Sequence, residues 1–316
     1  MGTITNDTRL LVKVAKLYYF EGLTQAQISK HIGVSRPIIS KMLTKAKEDG
    51  IIEFFIKDES ALTVDLELKL EKKYGLKEVI ISPGHDQEYS ETLKILGQLA
   101  SVHVSKKLDD IHSIGISWGK GVSNFVDAFP YQKSESLHIV PLIGGMGRSH
   151  IDLHSNILTL KFAQKLQASA SYLYAPAMVR STDVKQRLVE SPDISGVLEE
   201  GRNVDIAIIG IGNPTVNSTM EEIGYLSDED TASLKDYGAV TDINSYFLDK
   251  DGVLINHPLN DSIIGVNVTL ENHIKETVAI ACGDNKIESM HVALMNGAVD
   301  VLVTDDRTAQ KLIDEY

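Results

Sequence analysis

Four glycine clusters follow short apolar runs of the kind that form buried strands. Gly115-Ile116-Ser117-Trp118-Gly119-Lys120-Gly121 closes one run, and Gly144-Gly145 follows Val140-Pro141-Leu142-Ile143. Gly210-Ile211-Gly212-Asn213 follows Ile206–Ile209, and Gly283-Asp284-Asn285-Lys286 follows Ile280. Glycine loops leave backbone N–H groups uncovered, and at a helix N-terminus such groups suit a phosphate or a sugar hydroxyl. Asp242 can accept from hydroxyls and Lys286 can donate to an anion or to Asp242 itself. Trp118, the single tryptophan, either stacks on a ligand or anchors a core. No cluster reads G-x-G-x-x-G or G-x-x-x-x-G-K-[ST], so neither a dinucleotide nor ATP is expected. Without H-E-x-x-H, partner cysteines or G-x-S-x-G, the chain offers no metal site and no catalytic residue. Cys282, the one cysteine, reads as a small buried residue, which fits a reduced intracellular protein.

A different chemistry sits near the N-terminus. Gln25 to Met42 has the spacing of a helix-turn-helix: Ser29 permits a close crossing, Gly33 a tight turn, and Val34, Ile39 and Met42 lock the second helix on the first. Thr24 with Gln27 forms a capping-box pattern, and Ser35 stands where a cap for the next helix belongs. Arg36, Pro37, Ser40, Lys41 and Thr44 are then left on the outer face, with Lys45 further along. Such a helix fits the major groove of double-stranded DNA, Arg36 and Lys41 toward base edges and Lys45 toward phosphate. We take Thr24, Gln25, Ser35, Arg36, Pro37, Ser40, Lys41 and Lys45 as the DNA-binding set. A helical hairpin that docks protein is the alternative.

Charge agrees with a local contact. The 316 residues carry a net charge of −13, yet residues 1–57 hold nine Lys/Arg against five Asp/Glu, and the rest hold 22 against 39. A basic head on an acidic body suits one polyanion contact, not coating along the whole length. No apolar run is long enough for a membrane span, and the N-terminus has no secretory pattern.

These side chains need elements to place them. Helices are expected over Asp7–Phe20, Thr24–Ile32 and Ser35–Glu48, and a strand or wing over Ile51–Ile56. A connecting helix over 61–73 has a Leu62/Leu66/Leu70 stripe available for a partner chain. Beyond Gly75 the strands Glu78–Ile81, Ser113–Ser117, Leu137–Leu142, Ser171–Tyr174, Val204–Ile209, Ala239–Asp242, Val278–Ala281 and Val299–Val303 alternate with amphipathic segments. That alternation predicts a mostly parallel sheet with helices on both faces, and the glycine turns then share one crevice. The expected domains are 1–57, a linker over 58–76, and 77–316.

With Lys16-Leu17-Tyr18-Tyr19, Leu23–Ile28, Gly115–Gly119, Pro141–Gly145, Ile209–Gly212, Gly238–Ile243, and Leu302–Asp305 followed by Thr308-Ala309, the chain resembles the SorC family of sugar-sensing bacterial transcription regulators. The resemblance runs from Leu10 to Leu312, and Pro-Leu-Ile-Gly-Gly points to the sorbose-operon-regulator branch. It implies an α/β fold: a winged-helix-like helix-turn-helix head and a doubly wound, Rossmann-like C-terminal domain resembling sugar-phosphate isomerases. It further implies a cytoplasmic homo-oligomer, dimer or tetramer, without cofactor or enzymatic activity. Operator DNA would meet the head, and a sugar, polyol or sugar phosphate would meet Ser117, Trp118, Gly119, Lys120, Gly144, Gly145, Gly210, Gly212, Asp242 and Lys286. The chain departs from the family at Gly121, where many members have Ser or Thr. Ile143 stands where some have Lys, Thr241 where Gly is usual, and Tyr246 where many have Arg. Covalent capture is therefore not expected, and phosphate should add less affinity than in members with the hydroxyl. The alternative is a sugar-phosphate isomerase or deaminase with a helical accessory head.

Overall fold

The computed structural model describes residues 7–52, 61–83, 88–146, 149–271 and 273–316. The chain divides into two compact units, Met1–Ala61 and Leu62–Tyr316.

The first unit holds α1 (Thr8–Tyr19), α2 (Gln25–Ile32) and α3 (Arg36–Glu48). Asp7 caps α1 by accepting from the Arg9 and Leu10 amides. Thr24 and Gln27 complete the capping box of α2, satisfying two amides that the helix itself cannot. Gly33 ends α2 at a φ of 79°, and the Ser29 hydroxyl donates to the Val34 carbonyl at 2.5 Å, pinning the turn. Ser35 occupies the N-cap position of α3 but makes no side-chain cap bond, so Pro37 in the first turn supplies the start signal. Leu11, Val14, Leu17, Ile28, Ile39, Met42, Leu43 and Ala46 form the core of this unit, as their helical spacing requires. Ile51 and Ile52 pack on it without forming a strand, and residues 53–56 of the expected wing lie outside the described residues.

The second unit holds α4 (Ala61–Tyr74) from its second residue on, then β1 (Glu78–Ser82), α5 (Tyr89–Ser105), β2 (Ser113–Ile116), α6 (Lys120–Ala128) and β3 (His138–Pro141). It continues through α7 (Ser155–Leu166), β4 (Ser169–Ala170), α8 (Thr182–Val189), α9 (Pro192–Arg202), β5 (Ile206–Gly212), α10 (Thr219–Glu222) and α11 (Asp228–Asp236). The hairpin β6 (Thr241–Ile243) and β7 (Tyr246–Leu248) precedes α12 (Pro258–Ser262), β8 (Glu276–Ile280), α13 (Ile287–Asn296), β9 (Val301–Asp305) and α14 (Asp306–Asp314).

The parallel strands lie in the order β1-β9-β8-β5-β2-β3-β4. Alternate side chains feed opposite cores, as a sheet covered on both faces demands. Ile206 and Ile208 join Val278, Ile280, Val301 and Val303 beneath α5, α6 and α7. Ala207, Ile209, Ala279 and Leu302 face the other way, with residues of α4, α9, α13 and α14. A third apolar cluster, including Trp118, Ile143, Met220 and Phe247, lies beyond the carboxyl ends of the central strands. The chain runs β2 to β3 to β4 in one direction and β5 to β8 to β9 in the other. The loops after β2 and β5 therefore diverge, and a doubly wound sheet opens its ligand crevice at such a point.

Several expected elements change. Leu66 and Leu70 are buried in the unit's own core, so only Leu62 of the expected partner-facing stripe stays exposed. Residues 171–174 are not a strand: the Asn156 side chain receives the Leu173 amide and donates to its carbonyl, doing the work of a neighbouring strand. Gly210 and Gly212 belong to β5 and not to a loop after it. Asp242 sits on an antiparallel hairpin strand opposite Gly212.

Candidate functional site

At the switch between β2 and β5 the second unit has a cleft. Ser117, Trp118, Gly119, Lys120, Gly210, Gly212, Asp242 and Lys286 all line it. Gly144 and Gly145 do not. The Gly144 amide donates to the Ile264 carbonyl and the Gly145 amide to the Ala175 carbonyl, so both are committed to a crossing of loops. A Cβ on Gly144 would overlap the Ala175 carbonyl oxygen, which accounts for glycine there. Arg148, close to these glycines in sequence, lies outside the described residues.

The β2 end supplies a helix start. Gly119 takes a φ of 106° before α6, and no side chain caps that helix. Among the described residues no side chain meets the first amides of α6, and the helix dipole there favours negative charge. Lys120 pairs with Glu222 at 2.6 Å, which neutralises its ammonium. A Cβ on Gly121 would lie 2.9 Å from the Ile280 carbonyl oxygen, so a hydroxyl-bearing residue would need Ile280 to shift.

The opposite wall carries the charges. Asp242 is 5% exposed. Burial raises its carboxyl to about 6, against the pull of Lys286 and the Ser245 amide. Burial likewise lowers Lys286, and Asp242 opposes that effect. The two act on each other through space without an ion pair; the Lys286 ammonium donates instead to the Ile211 carbonyl at 2.9 Å. A buried carboxylate and a half-buried ammonium that do not meet directly leave room for a polar group between them.

Trp118 is a core anchor. It is 8% exposed, packs in the third cluster, and donates its indole N–H to the Ser245 hydroxyl at 3.0 Å. Ser117 is buried and donates to Asn244 Oδ1 at 2.6 Å. Tyr89, Asn213, Asn217, Ser218, Thr219 and Asn244 complete the polar lining. Of these Asn213, within a glycine cluster, carried a local signal; Asn217, Ser218 and Thr219 follow it on the same segment, Asn244 follows Asp242 on the hairpin, and Tyr89 arrives from a segment with no predicted site residue.

In the first unit, Arg36, Pro37, Ser40, Lys41 and Thr44 are exposed along α3. Arg36 and Lys41 meet no carboxylate among the described residues. The Thr24 hydroxyl is committed to Gln27, Gln25 is half-buried, and Lys45 pairs with Asp49 at 3.1 Å.

Residues 58–314 match the family described as "Putative sugar-binding domain". The Sorbitol operon regulator of Klebsiella pneumoniae is 29% identical, covering 98% of this chain and 99% of that protein. Its full-length crystal structure superposes with a TM-score of 0.77 over 98% of this chain and 100% of that one. The Deoxyribonucleoside regulator of Bacillus subtilis is 29% identical over 97% of this chain and 98% of its own length. The structure of a DeoR family transcriptional regulator from Listeria monocytogenes is 42% identical, with a TM-score of 0.75, and covers 79% of this chain and 99% of that one. The chain belongs to the sugar-binding-domain family and is a transcriptional regulator of the SorC type.

Proposed function

We propose that this regulator binds operator DNA through α3 and is controlled by a sugar, polyol or sugar phosphate held in the cleft at the β2/β5 switch. The observation that carries the reading is the presence of Asp242, buried, and Lys286, half-buried and not paired with it, opposite the uncapped start of α6. A carboxylate, an ammonium and free amides suit a ligand dense in hydroxyls. Relatives named for sorbitol and for deoxyribonucleosides accord with such an effector.

We read the protein as a cytoplasmic regulator and not an enzyme. Lys286 is engaged by a backbone carbonyl and Asp242 faces a backbone amide, so neither is set up as an acid–base pair on a reacting atom. A panel of sugar phosphates that turned over would overturn this.

Phosphate should add modestly to affinity. Glu222 already neutralises Lys120, and Gly121 offers no hydroxyl. Calorimetry on a free sugar and its phosphate tests this. A phosphate preference above about a thousandfold, roughly 4 kcal/mol, would overturn it.

Control requires that the effector bind two arrangements of the assembled protein unequally. One helix-turn-helix reads a half-site, so we expect a dimer or tetramer. The exposed Leu62 and Leu68 of α4 offer apolar surface for pairing. A monomer by sedimentation that still gripped a full operator tightly would contradict the assembly.

A further inference from the structure

The hairpin that carries Asp242 is closed by two residues, Asn244 and Ser245, both with left-handed backbone at φ 48° and 70°. Ile243 pairs with Tyr246, so these two residues are the entire turn. A two-residue turn with both φ positive ordinarily carries glycine at its second position. A serine there accepts backbone strain, and such strain persists where surrounding contacts hold it.

Those contacts converge on the cleft. Asn244 Oδ1 accepts from the buried Ser117 hydroxyl at 2.6 Å. Its Nδ2 donates to both the Leu142 carbonyl, at 3.1 Å, and the Val266 carbonyl, at 2.8 Å. Both amide hydrogens are thus used, and the residue is 2% exposed. The Ser245 hydroxyl accepts from Trp118 Nε1 at 3.0 Å, and the Ser245 amide faces the Asp242 carboxylate. One turn therefore joins the Ser117–Trp118 loop of β2, the end of β3 and the carboxylate of β6. Nothing in the packing of a hairpin alone calls for a serine at the glycine position.

We infer that Asn244 and Ser245 are positioning residues of the cleft: they tie the Asp242 carboxylate to Trp118, so the loop that starts α6 and the acidic wall move as one. The inference rests on the cleft being the effector site, but its test needs no effector. Glycine at 245 retains the turn and the amide while removing the hydroxyl, so Ser245→Gly should fold; Ser245→Ala removes the same hydroxyl and retains the Cβ.

Trp118 is the single tryptophan, so tryptophan fluorescence reports its surroundings, this contact among them. The measurement is emission of the full chain from neutral pH into mild acid. In the wild type we expect a step near pH 6, as Asp242 takes its proton and its hold on the Ser245 amide relaxes. Lys286 is the charged group acting on Asp242, and Lys120 with Glu222 forms the other charged pair at the cleft. Asp242→Asn should abolish the step, which assigns it to this carboxyl. Ser245→Gly and Ser245→Ala should lose it too, with circular dichroism unchanged. A wild-type trace without the step, or a step of undiminished size in both Ser245 variants, would overturn the inference. Either result would leave the effector reading standing, because that reading is judged by ligand binding.

Discussion

Gly212 and Asp242 face each other across the β5–β6 pairing, and a Cβ on Gly212 would overlap the Asp242 carboxylate. The absence of a side chain at 212 is what admits the acid to the cleft wall. Gly212→Ala should displace the carboxylate and weaken effector binding by tenfold or more, about 1.4 kcal/mol, with operator affinity near wild type. Calorimetry on the effector and a mobility-shift assay on the operator check the two halves.

Asp242 should make the fold pay for its own function at neutral pH. Its carboxyl is raised from 3.8 to about 6 by burial. The folded state therefore holds this proton more tightly than the unfolded chain does, and stability falls as pH rises from about 4 to about 6. Asp242→Asn does not titrate. The variant should match the wild type below pH ~4 and exceed it at pH ~7 by up to about 3 kcal/mol, less what Lys286 loses with its partner. Denaturant unfolding at the two pH values measures the difference, and equal gaps at both would contradict the prediction.

Glu276 should act with the opposite sign. Burial would raise its carboxyl, but hydrogen bonds from His103 and Lys107 outweigh burial and bring it down to about 2. Lys107 reaches both carboxylate oxygens at 2.6 Å. A lowered carboxylate stabilises the fold above its unfolded pKa, and that stability is lost as pH falls from about 4.5 to about 2. Glu276→Gln should cost roughly 2–3 kcal/mol at neutral pH and flatten the acid limb of the unfolding curve over that window.

On the DNA side, Arg36 stands at the N-terminal end of α3, exposed and without a carboxylate among the described residues. Arg36→Ala should cost roughly 1–3 kcal/mol on the operator and relax base preference at one position. Lys45, held by Asp49, should affect affinity more weakly and through salt dependence. Operator titrations at two salt concentrations separate these effects, and unchanged specificity in Arg36→Ala would show that α3 is not the reading helix.

Local signals were readable where one segment decides its own structure. The Thr24–Gln27 box and the turn at Gly33 are determined within a few residues, and the alternation of Ile206 to Ile209 follows from a sheet covered on both faces. The Asp242 hairpin was misread because its strands are three residues each, too short for a period to show, and its pairing with Gly212 is non-local. Helix α8 is a weak signal because none of its residues is fully buried and only Leu188 and Val189, at its end, pack on the core. Gly144 and Gly145 read as ligand glycines because a close loop crossing, which at Gly144 needs a missing Cβ, and a ligand loop leave the same local signal. Trp118 read both ways until its indole partner, Ser245, was known from the fold.

The most direct test of the account is thermal stabilisation of the full chain, wild type against Asp242→Ala, by a panel of sugars, polyols and their phosphates. A true effector at 100 times its dissociation constant should stabilise the wild type by about 2.7 kcal/mol. The account predicts that the same compound at the same concentration leaves Asp242→Ala unshifted. A compound that stabilised both proteins equally would place the effector elsewhere and contradict the cleft as the sensing site.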